Sequence, residues 1–275
     1  MLAGISIVAT DLDGTLLASD GQISERTRLA LERAAQAGIT VIVVTARPYW
    51  ALRDLKLRDV HALVVCVNGA LIVDLESDTV VSSAVLRDID VQDIAGRLRE
   101  LAPGIAFAVE TPTHYGHEPH YANKWPMPSG SQIDALDRLA PDGVLKLLGR
   151  HSDVTVARLL EIAEFVGPSA SVTFSEGDGL VELGPAGVSK GSGLGEVVSL
   201  LGRTSDDVVA IGDMPNDLPM LEWARVAAAV SNAHPDVIDA ADMVVARNDD
   251  DGVAHLIDLV IQANARPSGS RSPSG

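Results

Sequence analysis

The sequence of 275 residues is poor in cysteine, aromatic side chains and basic charge, and it has no long apolar run. Its one cysteine, Cys66, has no partner for a disulfide within the chain. It sits in the apolar run Leu63-Val64-Val65-Cys66-Val67, where a buried core thiol is expected rather than a nucleophile. Aromatic residues make up 3%, too few for the stacking platforms that hold single-stranded nucleic acid. Basic residues number 21 against 38 acidic ones, a net charge of −17. A field of that sign repels phosphate backbones and anionic membranes, so neither nucleic acid nor membrane is an expected partner. No stretch reaches the roughly 18 uncharged apolar residues of a bilayer span. The start, Met1-Leu2-Ala3-Gly4-Ile5-Ser6, has no basic stretch followed by a signal-length apolar run. A soluble, cytoplasmic protein is therefore expected. Carboxylate is what the chain has in excess, and carboxylate suits divalent cations. Hydrophobic residues make up 47%, enough for a core without disulfides.

Short apolar runs rich in β-branched residues alternate with helical patterns, which predicts an α/β fold with a mostly parallel sheet. The runs are Ile5 to Thr10, Thr40 to Thr45, Ala62 to Val67, Val208 to Ile211, Val226 to Val230 and Met243 to Val245. They are nearly continuous rather than alternating, as in strands covered on both faces. One helix is predicted from an N-cap at Ser24 to a stop at Gly38. Another carries the stripe Val253, Leu256, Ile257, Val260 and Ile261, preceded by Asp249, Asp250 and Asp251, which favour a helix N-terminus. Residues 84–183 read differently. Two helix patterns, Val91/Ile94/Ala95/Leu98 and Val156/Leu159/Leu160/Ala163, mix with strand candidates Ile105 to Glu110, Val144 to Leu148, Ser171 to Ser175 and Leu180 to Leu183. This predicts a self-contained α+β insert between two halves of one core, 1–83 and 184–265. The tail 266–275 is low in apolar residues and is expected to be disordered. There is no tandem repeat.

Four motifs carry the chemistry. Asp11-Leu12-Asp13-Gly14-Thr15-Leu16 directly follows the first strand, where doubly wound sheets place their sites. Two carboxylates two residues apart on extended backbone point the same way, and they repel unless a cation or a proton intervenes. Alone, the motif reads equally well as a turn closing a strand. Gly212-Asp213-Met214-Pro215-Asn216-Asp217 follows another strand, and Asp213 suits a hard cation; Asp217 reads as an N-cap of the next helix at least as well as a metal ligand. In Gly187-Val188-Ser189-Lys190-Gly191, Ser189 reads as an N-cap. That puts Lys190 against the helix dipole and suggests a separate task, such as pairing a phosphate or a carboxylate. Thr45-Ala46-Arg47-Pro48 can cradle a phosphoryl oxygen, and the Asn68-Gly69-Ala70 turn is a similar strand-end feature.

In this order and spacing the motifs resemble the haloacid dehalogenase superfamily of phosphatases, and within it the Cof-type group. Asp11 to Leu16 match DxDGTL, Thr45 the second-motif threonine, Lys190 the third-motif lysine, and Gly212 to Asp217 match GDxxND. The resemblance covers residues 5 to 262. It implies a Rossmann-like core with an inserted C2-type cap. It also implies a Mg²⁺-dependent phosphatase acting on small phosphorylated metabolites, such as sugar phosphates or phosphorylated cofactors. By resemblance, Asp11 is the nucleophile that becomes an aspartyl-phosphate, and Asp13 is the general acid and base. Asp11, the Asp13 carbonyl and Asp213 would hold Mg²⁺. Thr45 and Lys190 would hold phosphoryl oxygens with Asn216, Asn68 and Gly69 close by, and Asp217 would orient the groups around them. The alternatives are a sugar phosphomutase of the same superfamily and a non-catalytic phospho-aspartate switch; Asp13 speaks against the switch, which gains nothing from its own hydrolysing base.

The chain departs from the group's pattern at Ala46, where glycine is usual, and at Arg225, where a glycine-rich stretch is usual. Both changes put the fine shape of the pocket at issue. Within the insert, Glu110, His114 and Tyr115 are candidate substrate contacts. His114, His117 and His120 recur at intervals of three, but Gly116 and the flanking prolines preclude a regular zinc-binding helix, so a polar loop is expected there.

Overall fold

The computed structural model describes residues 1–53, 55, 57, 60–123, 127–164, 170–174 and 180–265; the tail 266–275 lies outside the described residues. In chain order the strands are β1 (Ile7–Thr10), β2 (Thr40–Val43), β3 (Leu63–Cys66), β4 (Leu71–Asp74), β5 (Thr79–Ser83), β6 (Ala106–Glu110), β7 (Tyr115–His117), β8 (Gln132–Ile133), β9 (Lys146–Arg150), β10 (Ala170–Phe174), β11 (Leu180–Pro185), β12 (Val208–Gly212), β13 (Val226–Val230) and β14 (Met243–Val245).

The main sheet has the order β14-β13-β12-β1-β2, and every neighbouring pair is parallel. All residues of β1, β12 and β13 are buried, which is why their sequences run apolar without alternation. Helix Glu25–Gln36 starts where predicted: Ser24 Oγ accepts from the Thr27 amide at 3.0 Å, and Gly38 takes φ 72° just past the end. It packs on helix Gly252–Ala265, while helices Lys190–Leu200 and Leu218–Trp223 pack on each other. Among the described residues, no helix is long and apolar enough to cross a membrane.

The third apolar run differs from a plain parallel strand. It meets β2 in parallel at the Val44–Val65 bridge, with the Thr45 amide donating to the Val65 carbonyl at 2.8 Å. Its other edge pairs antiparallel with β4, which pairs in turn with β5. The reversal comes from the turn Val67-Asn68-Gly69, where φ is 52°, 54° and 99° in succession. A positive φ at a β-branched valine is a strained conformation, and it lies at the end of a strand that borders the site. The strand Thr79–Ser83 had no signal in sequence, because it is mostly exposed and polar.

The inserted segment forms a six-stranded sheet, β10-β11-β9-β6-β7-β8, antiparallel except at β7–β8. Helices Asp88–Leu101 and Val156–Glu164 cover one face through Ile94, Leu98, Leu159 and Ile162 against Phe107 and Val181. The opposite face carries Ala106, Ala108, Tyr115, Tyr121, Leu148 and Leu180. Residues 115–117, read from sequence as part of a loop, are instead a short buried strand.

Candidate functional site

Three segments that leave the carboxyl edge of the main sheet, after β1, β2 and β12, converge with the start of helix Lys190–Leu200, which follows β11 of the inserted sheet. After β1 the chain enters a tight loop, Leu12–Leu16, closed by the Leu17 amide on the Leu12 carbonyl at 2.8 Å. Gly14 is obligatory in it: φ is 73°, and a Cβ there would stand 2.3 Å from Asp213 Oδ2. The loop is braced from outside by Asn232 Nδ2 on the Gly14 carbonyl and Asn248 Nδ2 on the Leu17 carbonyl, at 2.8 and 2.9 Å. Asp249 and Asp251 do more than favour a helix start. Asp249 accepts from the Ser19 amide at 2.7 Å, and Asp251 accepts from Ser24 and Thr27, pinning the segment after the loop.

Lys190 is the hub. Ser189 caps the helix as predicted, with Ser192 completing a reciprocal capping box. Lys190 is 1% exposed and donates to Asp11 Oδ1 and to Asp217 Oδ1, each at 2.6 Å. Asp217 does not cap the following helix. Its Oδ2 accepts from the Asp213 and Met214 amides, both at 2.9 Å, so the carboxylate folds back and ties down the turn that presents Asp213. Asp213 in turn accepts from Thr15 Oγ1 at 3.0 Å. Thr45 is buried, and its hydroxyl accepts from the Arg47 amide at 3.0 Å. Asn216 Nδ2 donates to Asn68 Oδ1 at 3.0 Å. Gly69 packs against the neighbouring helix start: a Cβ there would stand 2.1 Å from the Ser189 carbonyl oxygen.

The charges do not balance. Asp11, Asp213 and Asp217 are buried close enough to share one ion, and one ammonium, Lys190, faces them. Burial first, then the neighbouring carboxylates, push Asp11 well above the usual carboxylate range against the pull of Lys190. Burial and Asp217 push Asp213 up to about 6. An all-oxygen, carboxylate-rich pocket with surplus negative charge fits a hard divalent cation. Asp217 is the least available of the three as a ligand, because Lys190 and two backbone amides already occupy its oxygens.

Sequence reasoning missed two residues. Arg47 grips Asp13 with a two-pronged fork, Nε to Oδ2 at 2.7 Å and Nη2 to Oδ1 at 2.6 Å, while Asp13 remains half-exposed. Lys146 of the inserted sheet reaches the Ala46 carbonyl at 3.1 Å and Glu182 at 2.9 Å. The Ala46 departure thus lies where the inserted sheet touches the second motif. Arg225 is instead at the amino end of β13, on the Asp206 carbonyl and remote from the cluster. Of the three candidates in the insert, Glu110 is buried 4.0 Å from Lys146, and Tyr115 meets Trp50 of the main unit. His114 is not brought to the site; its ring bonds to Thr111 and to the Leu139 carbonyl within the insert. A cavity of about 340 Å³ lies between the two units, lined by Asn68, Lys190 and Asn216 on one side and Lys146, Ser171 and Thr173 on the other.

A doubly wound parallel sheet with acidic groups gathered at its carboxyl edge defines the class, an α/β enzyme with its site at the strand ends. Residues 8–257 match the haloacid dehalogenase-like hydrolases, and the chain belongs to that family. It is similar to the 5-amino-6-(5-phospho-D-ribitylamino)uracil phosphatase YwtE of Bacillus subtilis (strain 168), 28% identical over 92% of this chain and 97% of that one. The pyridoxal phosphate phosphatase YbhA of Escherichia coli (strain K12) is 27% identical over 91% of this chain and 97% of its own. A solved haloacid dehalogenase-like hydrolase from Bacteroides thetaiotaomicron superposes with a TM-score of 0.74 at 26% identity, covering 93% of this chain and 99% of that one.

Proposed function

We propose that the protein is a Mg²⁺-dependent phosphatase of small organic phosphomonoesters that works through an aspartyl-phosphate on Asp11. The observation that carries this reading is the buried contact of Lys190 with Asp11 at 2.6 Å, inside a cluster whose three carboxylates outnumber its cation. A carboxylate held against an ammonium is kept in place for attack, and the same ammonium can neutralise an incoming phosphoryl oxygen. The relatives' substrates, a ribitylaminouracil phosphate and pyridoxal phosphate, are both small phosphomonoesters.

Asp11 forms a bond to phosphorus as the bond from phosphorus to the alcohol oxygen breaks. Asp13 gives the departing oxygen its proton. Asp13 then takes a proton from water, whose oxygen attacks phosphorus, so that inorganic phosphate leaves and Asp11 is regenerated. Thr45, Lys190, Asn216, Asn68 and the Gly69 turn surround the phosphoryl group, and Asp217 positions Lys190 and the Asp213 turn. Both oxygens of Asp13 are engaged by Arg47 in the structure, so the fork opens when substrate draws Arg47 or Asp13 away. Asp11, Asp213 and the Asp13 carbonyl would hold Mg²⁺, which supplies neutralisation of the phosphoryl oxygens. Residues 84–183 act as the cap that shields the reaction from bulk water and contacts the leaving group. The test is phosphate release from an aryl phosphate and a panel of phosphorylated metabolites. Release that needs Mg²⁺, stops with chelator and is lost in Asp11→Asn supports the reading; release that survives Asp11→Asn overturns it.

A further inference from the structure

The inserted sheet holds buried polar groups that the reaction above does not use. Strand register lays them out in rows: Glu110 lies opposite Lys146, and one end of the sheet sets Ala106, Arg150 and Leu180 side by side. These positions alternate with Phe107, Val109, Leu147 and Val181 of the helix-covered face, so they share the other one. Two contacts turn that face toward the main unit: Lys146 on the Ala46 carbonyl, and Tyr115 edge-on to Trp50 with ring centres 6.4 Å apart.

Arg150 is 6% exposed, yet its Nε and Nη1 have no hydrogen-bond partner. Its guanidinium lies 5.7 Å from the Tyr121 ring centre, which offers a π face but no counter-charge. Among the described residues no carboxylate pairs with it. The same face has a second deficit. Glu110 is 7% exposed, and its Oε2 has no hydrogen-bond partner. Lys146, directly opposite Glu110, is satisfied by Glu182 and Ala46. A buried cation without an anion and a buried carboxylate oxygen without a donor are each costly, and proteins keep few of them. A ligand that supplies an anion to one and a donor to the other removes both costs. The spacing suits one molecule: Lys146 lines the cavity that holds Lys190, and Arg150 lies four residues farther along β9, about 13 Å.

We infer that this face is a subsite for phosphomonoesters bearing a second anionic group, a carboxylate or a phosphate, at the end remote from the ester, with Arg150 binding that group and Glu110 accepting a hydroxyl between the two ends. The inference rests on the phosphatase reading and narrows its substrate class. The test compares matched pairs: 6-phosphogluconate against glucose 6-phosphate, and fructose 1,6-bisphosphate against fructose 6-phosphate. Binding to Asp11→Asn is measured by calorimetry and turnover by the otherwise unaltered enzyme. The doubly anionic member of each pair should bind at least about tenfold more tightly, with the difference in KM rather than kcat. Arg150→Met, made in both backgrounds, should bring the ratio within each pair close to one, and Arg150→Lys should restore part of it. A ratio within a pair is insensitive to loss of folded protein. No preference in the protein with Arg150 intact, or a preference that survives Arg150→Met, overturns the inference. Turnover that survives Asp11→Asn overturns the phosphatase reading while leaving the binding ratios to stand or fall separately.

Discussion

The two units that flank the cavity, here its two walls, hold their buried charges in opposite ways. On the main sheet, three buried carboxylates on segments that leave parallel strands meet one lysine at the start of a helix. On the inserted sheet, Lys146 and Arg150 share a face with Glu110 and Glu182, all on the strands themselves. The first wall has surplus negative charge in one tight cluster, as a metal-assisted phosphoryl site requires. The second has charges of both signs with incomplete pairing, spread along a sheet, as recognition of an organic group requires. In the reading proposed above, one wall fixes the reaction and the other selects what it acts on.

The sharpest way to break that division is to attack the first wall. Asp11→Asn nearly preserves shape and removes the attacking charge, so turnover should fall by roughly 10⁴-fold or more, measured as phosphate release from an aryl phosphate. Lys190→Met leaves Asp11 and Asp217 buried without their cation. In urea unfolding it should lose about 3–5 kcal/mol, and a stability equal to that of the unaltered chain would show the cluster is not coupled as described. Mg²⁺ should raise the melting temperature, by the equivalent of about 3 kcal/mol at a hundredfold excess over its dissociation constant, and Asp213→Asn should abolish most of that gain.

The second wall should respond more gently and with pH. Burial, opposed by Lys146 and reinforced by Glu182, pushes Glu110 up to about 7 from its ordinary 4.5. The folded state therefore holds a proton that the unfolded chain has lost between those values. Stability from this group is complete below 4.5 and falls as pH rises to 7, by about 3 kcal/mol at most. Glu110→Gln lacks that loss, so its stability relative to the unaltered chain should rise between pH 5 and 8. A difference independent of pH would contradict the assignment. Lys146, Glu182, Cys66, Tyr115 and Tyr121 are the titratable groups close to Glu110; burial pushes the Cys66 thiol up to about 12 and raises both tyrosines, so these three stay neutral over this range.

The same contrast decides how much could be read from sequence. Asp11, Thr45, Lys190 and Asp213 were legible because each follows an apolar strand or opens a helix at a short, fixed offset, so local pattern alone places it at the sheet edge. The alternation of strands and helices gave the parallel core for the same reason. Lys146 and Arg150 sit in Lys-Leu-Leu-Gly-Arg, a strand whose predicted span stopped at Leu148. Which face they occupy depends on pairing with residues 30 to 44 positions away along the chain, on both sides, and no local signal carries that register. The segment Tyr115–His117 was hidden by the turn residues around it, and the direction change at β3 by an unusual run of positive φ. Arg47 stood in view in the second motif, but only the folded chain brings it onto Asp13.

The most direct measurement of the central claim is to trap the covalent intermediate. Asp13→Asn should still accept phosphate from an aryl ester, whose leaving group needs no proton, but should release it slowly because water has lost its base. Rapid quenching of this variant with labelled aryl phosphate should leave acid-stable label on the protein, mapping to the peptide that contains Asp11 and absent when Asp11→Asn is added. Steady phosphate release with no label on that peptide would contradict the account.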